Sequence, residues 1–236
     1  MTTTRTLGRG GMAVSADTPE YARRALTASL RRLGTDHVDL YRLHISDADP
    51  DRAVELRDAR EGFVREGLVR AYGWSTDDPE RAAVFAEGPH RAAVQHTLNV
   101  LQEAPRTLAL CERLEPASVN RGPLAMGLLA GRRGGTLEAG DIRSRPLPAW
   151  LPGYAPDGSG ADPRWPARID AVRDVLTSGG RTLAQGALAW LWARSPRTVP
   201  IPGFRTVAQA EENAGAIEKG PLTAGQLAEI DRLLGR

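Results

Sequence analysis

Short apolar runs of β character alternate with amphipathic helical segments along most of this chain, and that alternation restricts the fold more than any other feature. Thr18-Pro19 opens a helix, with a hydroxyl cap followed by proline at the first helical position. Ala22, Leu26, Leu30 and Leu33 recur at three- and four-residue spacing, and Gly34 closes the segment. A strand over 37–44 follows, ending at His44. The same reading predicts helices over 50–66, 77–86 and 108–114, with strands over 68–74 and 92–97 and a weak one over 117–119. Further helices are predicted over 167–177 and 182–193, then a strand over 198–201, a helix to Ile217 and a terminal helix over 223–234. Strands separated by helices pair in parallel, so the expected class is α/β: a TIM-type (β/α) barrel or a doubly wound sheet. The length, 236 residues, suits one barrel domain over 1–236. A Gly/Pro-rich loop at about 131–166 interrupts the rhythm, and its Trp150, Tyr154 and Trp165 either cover a ligand or merely decorate the loop.

Composition removes whole classes of chemistry. Lys219 is the only lysine, so lysine Schiff-base or general-base chemistry is excluded before that position. The net charge is +2, with 31 basic residues scattered among 29 acidic ones, which gives a mixed solvated surface and no basic face for nucleic acid. Cys111 is the single cysteine, and the four histidines lack ligand spacing, so neither a disulfide nor a metal site is expected. No apolar run reaches membrane-spanning length and the first residues lack a signal-peptide centre. A cytoplasmic protein without nucleic-acid or membrane partners is the expectation, and the arginine-rich composition suggests a bacterial source.

In a parallel barrel, chemistry sits at the C-terminal ends of the strands. The polar residues predicted there are His44, Ser75, Thr76, Gln95, His96, Asn120, Arg121 and Arg205. His96 follows Gln95, so it faces the other side of its strand and reads as packing. Gly8-Arg-Gly-Gly11 lacks the lysine of a phosphate loop and reads as a flexible loop beside the site. Trp190 and Trp192 read as helix packing.

The segment Ser29-Leu-Arg-Arg-Leu-Gly-Thr-Asp-His-Val-Asp-Leu-Tyr-Arg-Leu-His44 resembles the signature S-L-x-R-L-G-x-D-Y-x-D-L-Y-x-x-H of the aldo-keto reductase family. Val69-Arg-Ala-Tyr-Gly-Trp-Ser75, Val94-Gln95 with Leu98-Asn99, and Gly122-Pro-Leu-Ala-Met-Gly-Leu-Leu-Ala-Gly131 are similar to further family motifs, in order. So is Ile201-Pro-Gly-Phe-Arg205 with Gln209, Glu212 and Asn213. The resemblance implies a (β/α)8 fold, NADP(H) as cofactor and a small-molecule substrate with a carbonyl or imine-type group. It assigns Ser75, Thr76 and Gln95 to the nicotinamide carboxamide region. Gly122, Pro123, Leu124 and Gly131 would follow the pyrophosphate. Gly203, Phe204 and Arg205 would meet the 2′-phosphate, and Gln209, Glu212 and Asn213 the adenine.

The departures from the family pattern are specific. The match begins near the family's third strand, so the first two βα units are expected to be lacking and the barrel incomplete or rearranged. Those units carry the family's aspartate and tyrosine acid. The lysine slot falls near Arg5, leaving His44 as the family's catalytic residue and Arg5 and Arg121 as candidate cationic partners. Thr76 stands where the family has asparagine, and Arg121 where it has the aromatic that stacks on nicotinamide. Three functions fit these residues: an NADP(H)-dependent oxidoreductase with altered acid/base groups, a non-redox dehydratase, lyase or cyclase on the same scaffold, and a non-catalytic NADP(H)-binding relative. An open barrel exposes sheet edges. Pairing in a homo-oligomer is one way to cover them, and closure by the N-terminal segment is another.

Overall fold

The computed structural model describes residues 2–3, 18–45, 48–131 and 164–236. Its contacts divide the chain into two compact units, one of residues 1–96 and 104–119, the other of 97–103 and 120–236.

In the first unit, β1 (Thr2–Thr3), β2 (Val38–Leu43), β3 (Val69–Ser75), β4 (Arg91–Thr97) and the start of β5 (Ala117–Arg121) lie side by side in sequence order. The pairings of β1 through β4 are parallel. Helices α1 (Pro19–Leu33), α2 (Pro50–Arg65), α3 (Pro79–Ala86) and α4 (Pro105–Leu114) connect them. Each begins at a proline, and the first three are preceded by a capping side chain. Thr18 Oγ1 accepts from Tyr21 N, and Asp49 and Asp78 each accept from two backbone amides. These caps satisfy amides that a helix start leaves without partners, which is why the loops end where they do. Helix α4 starts earlier than the periodicity predicts, because Ala104 offers no capping side chain and only Pro105 marks the start. Strand β5 likewise extends two residues further than expected.

Tyr41, Leu43, Tyr72, Trp74 and Val94 pack toward the helices in three buried clusters with Leu26, Phe63, Leu56, Phe85 and Cys111. Arg42, Gly73 and Gln95 lie between such residues and so face the opposite side of the sheet. The buried Tyr41 hydroxyl donates to Ala22 O and Trp74 Nε1 to Ile45 O at 2.7 Å. Gly73 is dictated by its neighbour: a register shift between β3 and β4 brings Ala93 O within 2.2 Å of where a Cβ would sit. His96 is fully buried and hydrogen-bonded to Ser118 Oγ at 2.7 Å, a packing role as its position on β4 predicts.

Two charged groups stand out in this unit, Arg60 in its core and Glu61 half-buried beside it. Arg60 is 1% exposed, donates to Leu56 O, and lies 5.2 Å from the Tyr41 ring centre and 5.6 Å from that of Phe85. Burial lowers its pKa to about 10, so it keeps its charge at neutral pH. Glu61 accepts from the Tyr72 hydroxyl and from His90 N. Burial alone would raise its carboxyl, but these hydrogen bonds from Tyr72 and His90 outweigh it and hold the pKa below the ordinary glutamate value. A lowered folded-state pKa gives stability that is present above the unfolded pKa and is lost as pH falls through the folded value. Denaturant unfolding is therefore expected to show an acid-side loss of stability below about pH 4.5, and Glu61→Gln is expected to flatten that limb. An unchanged pH profile in the variant would refute the assignment.

The second unit holds the end of β5, a 3₁₀ segment (Ala125–Ala130), α5 (Arg164–Thr177), α6 (Leu183–Arg194), β6 (Thr198–Pro200), α7 (Val207–Lys219) and α8 (Ala224–Leu234). Ile201 N donates to Asn120 O at 3.1 Å, placing the end of β6 beside β5. Capping boxes start α6 at Thr182 with Gln185 and α8 at Thr223 with Gln226. Helix α6 is buried from Leu183 to Leu191, and Gly186 lets α5 approach closely. Trp190 is fully buried under the guanidinium groups of Arg194 and Arg236, which share Glu103 and Asp231 as ion partners.

Helix α5 begins at Arg164, earlier than the pattern predicts, because Pro166 fits a helix's first turn. Trp165, expected in the loop, is instead an 8% exposed core residue of α5. Trp150 and Tyr154 lie outside the described residues.

Candidate active site

In the first unit the predicted residues gather at the C-terminal strand ends. His44 follows β2 directly and is half-buried. Ser75, the last residue of β3, pairs in register with Gln95 of β4. Gln95 Nε2 donates to Ser75 Oγ at 2.9 Å, and Thr76 N donates to Gln95 O at 2.9 Å. All three are buried. With the amide so placed, Gln95 Oε1 is buried with no hydrogen-bond donor among the described residues. Thr76 Oγ1 accepts from Asp78 N, so its side chain shapes the turn into α3. Arg5 and Gly8–Gly11 lie outside the described residues.

In the second unit a cavity of about 620 Å³ opens between the segment after β5 and the segment after β6. It is lined by Gly122, Pro123, Leu124 and Gly131 on one side. Gly203, Phe204, Arg205, Gln209, Glu212 and Asn213 line the other. Every residue of this unit that the resemblance assigns to the cofactor therefore lines one cavity.

The first wall is strained. Ala125 and Met126 have φ of 46° and 55°, a left-handed conformation that side chains disfavour. Non-glycine residues held there cluster where a backbone must approach a ligand. Asn99 secures this wall: its Nδ2 donates to Gly122 O at 3.1 Å, while its Oδ1 accepts from Leu101 N. Arg121 Nε donates to Thr97 Oγ1 at 3.0 Å, which ties its guanidinium to the end of β4.

The second wall is the start of α7. Thr206 caps the helix by accepting from Gln209 N, and Gln209 Oε1 accepts from Arg205 N at 2.7 Å. Gln209 thus serves the loop as well as facing the cavity. Gln185 Nε2 donates to Glu212 O and anchors α7 to α6. Asn213 Nδ2 is buried with no acceptor among the described residues. The exposed Arg205 and the α7 N-terminus put a cation and a helix dipole's positive end together, a setting for a phosphate.

Sequence reasoning missed Met126, Gly127, Ala130 and Ala184 in the cavity wall. Small and apolar residues carry no chemical signal, and only the backbone strain at Met126 marks them. Among the described residues no group of histidine, cysteine, aspartate or glutamate could hold a metal ion. No described helix is long and apolar enough to cross a membrane.

The Aldo/keto reductase family model matches residues 2–234, and the chain belongs to that family. Among curated proteins it is 28% identical over 203 residues to the chloroplastic pyridoxal reductase of Arabidopsis thaliana, covering 82% of this chain and 52% of that protein. The chain spans about half the length of that relative. Among solved structures it is similar to aldo-keto reductase AKR11C1 from Bacillus halodurans in its holo form. That match has a TM-score of 0.68, 25% identity, and coverage of 92% of this chain and 68% of that one. It is also similar to an aldo/keto reductase from Klebsiella pneumoniae in complex with NADP and acetate, with a TM-score of 0.62, 28% identity and coverage of 92% and 68%. The fold class is α/β of the TIM-barrel type, as the sequential parallel strand order leads one to expect.

Proposed function

We propose that the chain binds NADP(H) and acts as an oxidoreductase on a small molecule with a carbonyl or imine-type group. The observation that carries this reading is the second unit's cavity, walled by all of that unit's residues expected at the cofactor. Two buried amide atoms without partners among the described residues agree with it in chemical type. Gln95 Oε1 accepts only, as the NH₂ of a nicotinamide carboxamide requires, and Asn213 Nδ2 donates only, as the ring nitrogens of adenine require.

In this reading Ser75 and Gln95 orient the carboxamide, with Thr76 shaping the turn beside them. Gly122, Pro123, Leu124 and Gly131 follow the pyrophosphate. Gly203, Phe204 and Arg205 hold the 2′-phosphate, with Gln209, Glu212 and Asn213 around the adenine. NADPH supplies a hydride when bound. His44 donates the proton that the reduced oxygen or nitrogen needs, since imidazole titrates near neutrality. A positioned proton donor of this kind is worth roughly 10²–10⁴ in rate. Arg121, in place of a stacking aromatic, puts a positive charge beside the nicotinamide and disfavours its oxidised, cationic form. Arg5 would add a second cation in the family's lysine slot.

Titration with NADPH, followed by nicotinamide fluorescence, is expected to give saturable binding. Deuteride transfer from labelled NADPH to a product is the redox readout. Absence of saturable binding would overturn the proposal. Turnover without NADPH consumption would favour a non-redox lyase, dehydratase or cyclase.

A further inference from the structure

Arg42 is a buried cation with no counterpart among the described residues. It is 6% exposed, its Nη1 is fully buried without a hydrogen-bond partner, and no hydrogen bond, ion pair or aromatic ring engages its guanidinium among the described residues. Arg60, in the same unit, shows what a structural buried arginine requires. It has two aromatic faces and a backbone carbonyl. Arg42 has none of these.

The β3 side of Arg42 is also bare. Its register partner on β1 is Thr3, but on β3 it is Gly73, and the partner of Gly73 on β4 is Ala93. On that side of the arginine the row therefore carries nothing larger than a methyl group. Gly73 cannot acquire a side chain, because Ala93 O occupies the place of its Cβ. The space beside the arginine is thus fixed by the backbone. Arg42 also lies two residues before His44, which directly follows β2, a separation of about 6–7 Å along the chain. The arginine side chain is long enough to close that distance.

An arginine cannot shed its proton near neutral pH, and a charge withdrawn from water needs an answering group, either an opposite charge or rings and a carbonyl such as Arg60 has. With no such group on Arg42 among the described residues, a ligand anion is the natural counterpart. We propose that Arg42 is a substrate-recognition residue that binds a carboxylate, and that the reactant handled at His44 is of the 2-oxo acid class. The identity of the reacting group rests on the reductase reading above; the anion site does not. A carboxylate fits better than a phosphate, because one guanidinium neutralises one charge and its planar fork matches two coplanar oxygens. A phosphate dianion would leave one negative charge buried.

The test uses the full-length chain and oxamate, a 2-oxo acid analogue, titrated calorimetrically alongside its neutral ester ethyl oxamate and inorganic phosphate. Oxamate is expected to bind saturably and raise the melting temperature, while the ester and phosphate do neither. Arg42→Leu is expected to weaken oxamate binding at least about tenfold, with NADPH binding unchanged as the control for folding. Should the leucine variant not fold, Arg42→Gln gives the same comparison. Without ligand, either variant is expected to melt no lower than the parent, since each removes an uncompensated charge. Equal oxamate affinity in parent and variant overturns the proposal. So does parent protein that ignores oxamate, or that prefers phosphate or the ester. Oxamate binding that depends on Arg42 without any NADPH binding supports the anion site and overturns only the reductase reading.

Discussion

Arg205→Ala is expected to weaken NADPH binding by about tenfold while leaving NADH binding unchanged. A hydrogen bond to a charged group contributes about 1.5–3 kcal/mol. Arg205 is exposed, where solvent screens the charge, so the lower end applies and corresponds to roughly one order of magnitude in affinity. The capping of α7 by Thr206 does not involve the Arg205 side chain, so the helix start survives the substitution. The difference between the two cofactors isolates the 2′-phosphate, the one group that distinguishes them. Raising the salt concentration is expected to shrink that difference. Equal losses for NADPH and NADH would place Arg205 elsewhere than at the phosphate.

Gly186→Ala is expected to cost about 1–3 kcal/mol or more in unfolding free energy. A Cβ at this position would sit 2.1 Å from Leu176 O and 2.6 Å from its carbonyl carbon. Both are backbone atoms of α5, so no side chain can turn aside and the two helices must part. Gly225→Ala in α8 is the companion measurement, since a Cβ there meets nothing within 4 Å. That substitution is expected to stabilise by about 0.5–1 kcal/mol through helix propensity. Opposite signs from two helical glycines would separate close packing from backbone entropy. A Gly186→Ala protein as stable as its parent, by denaturant melt, would refute the packing argument.

The elements were legible because their boundaries are written in local chemistry. Thr18-Pro19, Asp49-Pro50 and Asp78-Pro79 mark helix starts that the backbone hydrogen bonds then use. Helix α4 was read short because Ala104 gives no such mark. Trp165 was misplaced because glycine and proline density masks where a helix resumes. Within the site, Arg205 and Asn213 announce themselves by polarity, but Met126 and Ala184 enter the cavity wall through backbone geometry that composition does not record. Arg42 reads as an unremarkable member of an alternating strand. The register, which sets Gly73 beside it, and its buried Nη1 show that its charge is unanswered among the described residues.

The second unit's cavity has a consequence for how this scaffold can change. Among the described residues its lining comes from one unit, and none of it from the unit that carries His44, Arg42, Ser75 and Gln95. If the cavity holds the coenzyme as proposed, substitutions that alter which reactant is accepted, or how a proton reaches it, would touch no residue of that cavity. Coenzyme preference and reaction chemistry would then be separable traits, open to independent redesign.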